Sequence, residues 1–69
     1  MSSTLRIAVE PRPYGYWAIQ RNGALADAEI FSTKSKAVAR AREEAERHHA
    51  ELVVKAQDGH IEALDDPVR

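Results

Sequence analysis

The chain has 69 residues, no cysteine and a net charge of −1 at neutral pH. This length forms one small domain over residues 1–69, and we expect order from 4 to 64 and a frayed tail over 65–69. The absence of cysteine excludes disulfides and thiolate zinc sites, and the balanced charge argues against a generally basic nucleic-acid-binding protein. With no signal-peptide-like or membrane-spanning apolar run, we expect a cytoplasmic location.

The first strand is predicted from an alternating pattern near the N-terminus. Leu5, Ile7 and Val9 alternate with charged or small residues, which is typical of a half-buried strand. Pro11 ends the pattern because proline has no backbone N–H to donate to a strand partner.

Two further strands are predicted to follow as a hairpin. Residues 16–21 are rich in aromatic and β-branched side chains, with Trp17 and Ile19 facing inward. Asn22-Gly23 then forms a hairpin turn, because both residues tolerate a positive φ. Residues 24–31 have a composition that also suits a helix, but the turn before them and the helix cap after them favour a third strand.

The second half predicts one helix and two strands. Ser32 or Thr33 is the expected N-cap of a helix from Lys34 to about His49, whose narrow apolar stripe contains Val38, Ala41 and Ala45 with Ala37 and His48 beside it. Residues 51–56 and 60–64 form two strands joined by a hairpin turn at Asp58-Gly59.

These elements predict an α+β fold in the order β-β-β-α-β-β. The first three strands form a meander, and the helix returns the chain so that the fourth strand lies parallel to the first. We therefore expect a five-stranded, mostly antiparallel sheet of order 3-2-1-4-5, with one helix on one face and the other face uncovered.

Several motifs resemble a known family of short bacterial domains. They are W-A-I at 17–19, F-S-T-K at 31–34, A-V-A-R-A-R at 37–42, E-L-V-V at 51–54 and D-G-H-I at 58–61. Together they resemble the domain-of-unknown-function family 2188. The chain departs from the family pattern at Lys36, where a glutamate often completes a capping box, and at Lys55, where a histidine is often found. The resemblance implies the fold and no assigned activity, cofactor or catalytic residue.

The start of the helix is the first candidate site. A helix N-terminus favours acidic side chains, yet this one has Lys34 and Lys36, with Arg40 one turn later. With the Thr33 hydroxyl and the free backbone N–H groups, these residues are candidates for contact with an anion or a nucleic-acid backbone. The simpler interpretation is a solvated helix end whose lysines point into water.

Other residue clusters give weaker functional signals. One is a base-stacking surface formed by the aromatic residues Tyr14, Tyr16 and Trp17, with Arg6, Arg12 and Arg21 nearby. A core tryptophan with shielding tyrosines is the simpler interpretation.

The histidines and the paired acids give no clear site. His48 and His49 point about 100° apart on a helix and do not share a metal ion easily. The paired acids have no evident pocket to perturb their pKa values. We therefore expect no enzymatic activity, no metal and no cofactor.

The best functional hypothesis is a non-enzymatic binding or accessory protein that forms a homodimer. Of the residues, 43% are hydrophobic, but many are alanines, which bury little area. A second subunit, or another protein partner, would add the missing burial by covering the uncovered sheet face. The candidate interface residues on that face are Ala8, Tyr16, Ala18 and Val53. The alternative is a nucleic-acid-binding module that uses the basic helix start.

Overall fold

A computed structural model describes residues 5–21 and 24–65 of the protein, with the backbone alone for 24–27 and 65. The chain forms β1 (Arg6–Pro11), a short 3-10 turn (Pro13–Gly15), β2 (Trp17–Arg21), β3 (Ala24–Phe31), α1 (Lys34–His48), β4 (Glu51–Lys55) and β5 (Ile61–Asp65). This succession confirms the predicted β-β-β-α-β-β arrangement.

The five strands form one mixed sheet in the order β3-β2-β1-β4-β5. The central strand β1 pairs antiparallel with β2 and parallel with β4. The two outer pairs, β2 with β3 and β4 with β5, are both antiparallel. The sheet therefore has the predicted order and a single parallel pair, between β1 and β4.

The core lies between one face of the sheet and α1. The strands contribute their inward-facing residues, and α1 contributes three buried alanines; the set is Ile7, Val9, Trp17, Ile19, Leu52, Val54, Ala37, Ala41 and Ala45, with Ala50 beside them. The small alanine side chains let the helix approach the sheet closely. Ala37 is fully buried and Val38 only partly, so Ala37 rather than Val38 completes the buried stripe with Ala41 and Ala45.

Both ends of α1 have specific backbone partners. Thr33 is the N-cap, and its hydroxyl accepts a hydrogen bond from the Lys36 backbone N–H at 3.2 Å. At the other end His49 adopts the left-handed conformation (φ 54°) and donates its N–H to the Ala45 carbonyl. The helix thus ends one residue earlier than predicted, because His49 serves as the cap.

The connection between β4 and β5 is a five-residue loop over residues 56–60 with Asp58-Gly59 at its tip. Asp58 Oδ1 accepts from the His60 backbone N–H at 3.1 Å, and Gly59 takes a positive φ of 96°. β5 extends to Asp65, whose backbone lies opposite Leu52. The strand therefore begins one residue later and ends one residue later than the predicted 60–64. The predicted turn at 22–23, the tail over 66–69 and residues 1–4 lie outside the described residues.

Candidate functional site

The face of the sheet opposite α1, here called the open face, carries the side chains that alternate with the core residues. It comprises Arg6, Ala8, Glu10, Ala18, Gln20, Ile30, Glu51, Val53, Lys55, Ile61 and Leu64. The core cluster lies entirely on the other face, where α1 contacts β1, β2, β3 and β4. Among the described residues, no helix or second sheet packs over the open face.

The open face has an apolar floor. Ala18 is completely buried and Val53 is 5% exposed, because larger side chains on neighbouring strands surround them. Ile30 on β3 and both Ile61 and Leu64 on β5 are more than half exposed, and Tyr16 before β2 is about half exposed. β3 and β5 are the two outermost strands of the sheet, so their exposed apolar side chains lie at opposite sides of the face.

Three of the four predicted interface residues form part of this floor. Ala8 lies opposite Val53 in the parallel pairing of β1 with β4. Ala18 lies between Glu10 on β1 and Ile30 on β3. The structure therefore brings Ala8, Ala18 and Val53 together, although two of them are shielded by their neighbours. Tyr16 lies at the end of the face and is the most accessible of the four.

Four charged residues surround the centre of the floor: Arg6, Glu10, Glu51 and Lys55, here called the charge square. Arg6 Nε lies 2.9 Å from Glu51 Oε1, and Lys55 Nζ lies 3.5 Å from Glu10 Oε2. The Ala8–Val53 row separates these two pairs. Each charge therefore has a charge of opposite sign beside it on the neighbouring strand and another of opposite sign along its own strand.

A buried polar side chain extends this pattern. Gln20 is 6% exposed and lies between the side chains of Glu10 and Arg12. With its amide oriented to satisfy both neighbours, its nitrogen donates to Glu10 Oε2 and its oxygen accepts from Arg12 Nη2, each at 3.0 Å. A buried amide needs such partners, because its desolvation is otherwise uncompensated.

A second charged cluster lies on the helix side of the sheet. Arg21 contacts both oxygens of Glu44, with Nε to Oε2 at 2.5 Å and Nη2 to Oε1 at 2.6 Å, and Nη2 also lies 3.2 Å from Glu29 Oε1. The hydrogen bonds from Arg21 lower the pKa of Glu44, and the hydrogen bonds to Glu44 raise the pKa of Arg21. This ion pair joins α1 to the end of β2.

An open groove of about 250 Å³ lies beside this cluster. Its lining mixes both signs of charge and consists of Arg21, Arg40, Glu43, Glu44, Arg47 and His48. Within the groove Arg47 Nη2 lies 3.8 Å from Glu43 Oε2, one helical turn earlier on α1. Because carboxylates line the groove together with the cations, it offers no concentrated charge for a ligand of one sign.

The structure disperses the candidate anion site at the start of α1. Lys34 forms an ion pair with Glu62, and its Nζ also lies 5.2 Å from the centroid of the Trp17 ring. Arg40 Nε lies 4.0 Å from Glu29 Oε1. Thr33 is engaged as the N-cap, and Lys36 is exposed. Two of the three predicted cations therefore face carboxylates, a pairing that depends on strands distant in sequence.

The aromatic and histidine clusters also separate. Trp17 is a core residue, whereas Tyr14 is 96% exposed in the turn between β1 and β2. Asp58 accepts hydrogen bonds from the His60 backbone and ring, which lower the pKa of Asp58. Within residues 5–21 and 24–65, no group of three or more His, Cys, Asp or Glu residues is arranged to hold a metal ion.

Sequence reasoning missed the charge square and the Arg21–Glu44 pair. The charge square requires the register between β1 and β4, which are separated by the whole β2-β3-α1 segment. A useful signal was present, since β1 and β4 each place opposite charges four residues apart on the same face, at Arg6 and Glu10 and at Glu51 and Lys55.

Comparisons with known proteins give a family and no characterised relative. No curated protein matches the chain, and no solved structure matches it. Across the part of the chain that the structure describes, no helix has the length and hydrophobicity needed to cross a membrane. The model of the family described as "Uncharacterized protein conserved in bacteria (DUF2188)" matches residues 7–65. This match spans β1 to β5, and the chain therefore belongs to the bacterial domain-of-unknown-function family 2188.

Proposed function

We propose that this protein acts by binding rather than by catalysis, as a homodimer joined through the open face. The observation that carries the proposal is the apolar floor of that face, which has Ile30 and Leu64 more than half exposed and no covering element among the described residues. Large apolar side chains exposed on an uncovered face gain free energy when a partner excludes water from them.

The size of the face supports a dimer of modest affinity. Five strands at about 4.8 Å spacing and about five residues long make a surface of about 24 by 17 Å, or about 400 Å² in projection. The relief of the side chains increases the area that a partner contacts. A face of this size lies near the lower limit of specific interfaces, which is roughly 600 Å² per partner, so we expect a weak dimer.

The thin core also favours a second layer over the open face. The helix side of the core depends on three alanines from α1, and alanine contributes little buried area. A 69-residue chain has a high surface-to-volume ratio. A second copy would turn a two-layer domain into a four-layer assembly with the two sheets in the middle, and would thereby increase the apolar area buried per chain.

The oligomeric state tests this proposal directly. Sedimentation equilibrium from low to high micromolar concentration should show a monomer–dimer equilibrium for the wild-type protein. The double variant Ile30→Asp with Leu64→Asp should be folded and monomeric, because each added carboxylate would have to lose its hydration at the interface. A wild-type protein that stays monomeric at high micromolar concentration overturns the proposal.

A matched control places the same charges elsewhere. Ser35 and Ala39 are exposed on α1, away from the open face. The double variant Ser35→Asp with Ala39→Asp should dimerise like the wild type. If the open-face variant and this control dimerise equally well, the open face is not the interface.

The second candidate function is nucleic-acid binding through the start of α1. Its supporting observation is that the first turn of α1 has no acidic residue while Lys36 is exposed. The paired states of Lys34 and Arg40 make this candidate weaker than the dimer. Lys34→Glu with Lys36→Glu should abolish binding to mixed DNA and RNA at low salt, and no binding by the wild type under these conditions rules the candidate out.

A further inference from the structure

We propose that the charge square makes the open face complementary to itself, so that the partner on this face is a second copy whose strands run nearly parallel or antiparallel to those of the first. This inference rests on the proposed homodimer and adds what selects the partner and its orientation. It follows from the signs and positions of Arg6, Glu10, Glu51 and Lys55.

The four charges occupy the corners of a nearly rectangular pattern. The Arg6–Glu51 pair lies on one side of the Ala8–Val53 row, and the Glu10–Lys55 pair lies on the other. Along each strand the two charges are four residues apart, or about 13 Å. Neighbouring corners have opposite signs and diagonal corners have the same sign.

Two sheets that face each other are related by a two-fold axis in the plane between them. If the axis runs across the strands, Arg6 lies over Glu10 of the other copy and Glu51 lies over Lys55. If the axis runs along the strands, Arg6 lies over Glu51 of the other copy and Glu10 lies over Lys55. Both arrangements bring four pairs of opposite charges together across the interface.

Rotating the two copies away from this arrangement weakens the complementarity. The charge square is about 13 Å long along the strands and about 4.8 Å wide across them, so its diagonals lie about 20° from the strands. A two-fold axis along a diagonal makes the strands of the two copies cross at about 40° and places the two charges on that diagonal over charges of the same sign. The charge pattern therefore favours strands that cross close to 0° over the angle of about 30° that is common for aligned sheets, and it disfavours partners whose charge lacks this alternation.

The side chains are available for such contacts without loss of the pairs within the chain. Arg6 is 61% exposed, and Glu10, Glu51 and Lys55 retain between 21% and 33% exposure. Arginine, lysine and glutamate each have several hydrogen-bonding positions, so one charge can contact a neighbour in its own chain and another across the interface. The ion pairs thus form the polar part of an interface whose centre is the Ala8–Val53 row.

Charge reversal in two complementary variants tests the inference. Arg6→Glu with Lys55→Glu makes all four corners negative, and Glu10→Lys with Glu51→Lys makes all four positive. Each variant alone should dimerise at least about tenfold more weakly than the wild type, because like charges meet across the interface. An equimolar mixture of the two should form a 1:1 heterodimer, detectable by native mass spectrometry, and added salt should weaken it.

The matched control for the negative variant is Lys36→Glu with Arg47→Glu, which changes the net charge equally on the exposed surface of α1. It should dimerise like the wild type. Circular dichroism and the emission of the buried Trp17 report whether each variant folds. If a reversed variant fails to fold, Arg6→Gln with Lys55→Gln carries the test: its dimer should be weaker and less sensitive to salt than the wild-type dimer.

The outcomes separate this inference from the proposed function. A monomeric wild-type protein overturns both. A wild-type dimer with reversed variants that still form homodimers as tightly, or that fail to pair with each other, overturns the charge-square inference alone. If Arg6→Gln with Lys55→Gln dimerises with the affinity and the salt dependence of the wild type, the charge-square inference is likewise overturned.

Discussion

The two faces of the sheet differ in how they combine apolar and charged residues. The face under α1 holds the three largest fully buried side chains, Ile7, Ile19 and Val9. The open face has small residues at its centre, paired charges around them and exposed apolar residues at its sides. A single helix covers only one face. The residues of the other face contact solvent in the monomer, and under the proposed dimer they must also suit a partner.

This difference indicates separate roles for the two faces. A dry core formed of large side chains contributes to folding stability whether or not a partner is present. A face of small residues and paired charges costs little when exposed, because the charges remain hydrated, and it retains specificity when covered. The helix face therefore determines the fold, and we expect the open face to determine association.

The largest predicted effect compares one isoleucine on each face. Ile19→Ala removes a fully buried side chain and should lower the free energy of unfolding by about 2–5 kcal/mol. Ile30→Ala removes a side chain that is 55% exposed, and should lower it by less than about 1 kcal/mol in the monomer. Urea denaturation at low micromolar concentration measures both. If the two variants lose the same free energy of unfolding, the two faces do not differ in their contribution to folding stability.

The next effect concerns the ion pair on the helix side. Arg21→Gln leaves Glu44 without its bidentate partner and should destabilise the monomer by about 1–3 kcal/mol, since hydrogen bonds to charged groups are the stronger ones. Denaturation at neutral pH measures this loss. The conservative Arg21→Lys should recover only part of it, because an ammonium group cannot reproduce both guanidinium contacts.

The same pair predicts a dependence on pH. The pKa of Glu44 is lowered in the folded protein, chiefly by its hydrogen bonds from Arg21. The pair therefore stabilises the fold at pH values above the unfolded carboxyl pKa of about 4.3, and this contribution is lost as the pH falls through the lowered folded value. In denaturation curves collected across this range, Glu44→Gln should show a shallower decline in stability on acidification than the wild type. Glu10→Gln on the open face should retain the Glu44 contribution, and an unchanged slope in Glu44→Gln would contradict the assignment.

The smallest effect on monomer stability is expected for Leu64→Ser, on the exposed edge of the open face. Leu64 is 58% exposed, and its replacement should change monomer stability by no more than about 0.5 kcal/mol. The dimer dissociation constant should rise by up to about tenfold, because the interface loses apolar burial. Sedimentation equilibrium measures the second quantity, with Ala39→Ser on the exposed surface of α1 as control. A dimer unaffected by Leu64→Ser would exclude this edge from the interface.

Most elements of the fold were predictable from local patterns. The period-two alternation at Leu5, Ile7 and Val9 predicted β1, and the Thr33 cap and the alanine stripe predicted α1. The ends of the elements were less predictable, since His49 is the C-cap of α1 and Asp65 is part of β5. Cap geometry and strand pairing decide such ends, and both depend on contacts that a local pattern does not contain.

The candidate sites were less predictable than the elements. The basic residues at the start of α1 stand out in the sequence, but the fold places Glu62 beside Lys34 and Glu29 near Arg40. Conversely, the charge square is not evident as a cluster along the chain. Its four residues come together, with alternating signs, only in the folded sheet. Charge clusters that are local in sequence are therefore a poor guide to charge in this small α+β fold.

The sequence by itself determined the number, kind and order of the elements, because these depend on periodicity, caps and turns within a few residues. It also determined that one sheet face would lack a helix, since only one amphipathic helix is present. The tertiary structure alone decided which charges meet, because ion pairs join strands whose register is set by the packing of the core. The parallel register of β1 and β4 places Ala8 beside Val53 and Arg6 beside Glu51. The charge square is the consequence of that register.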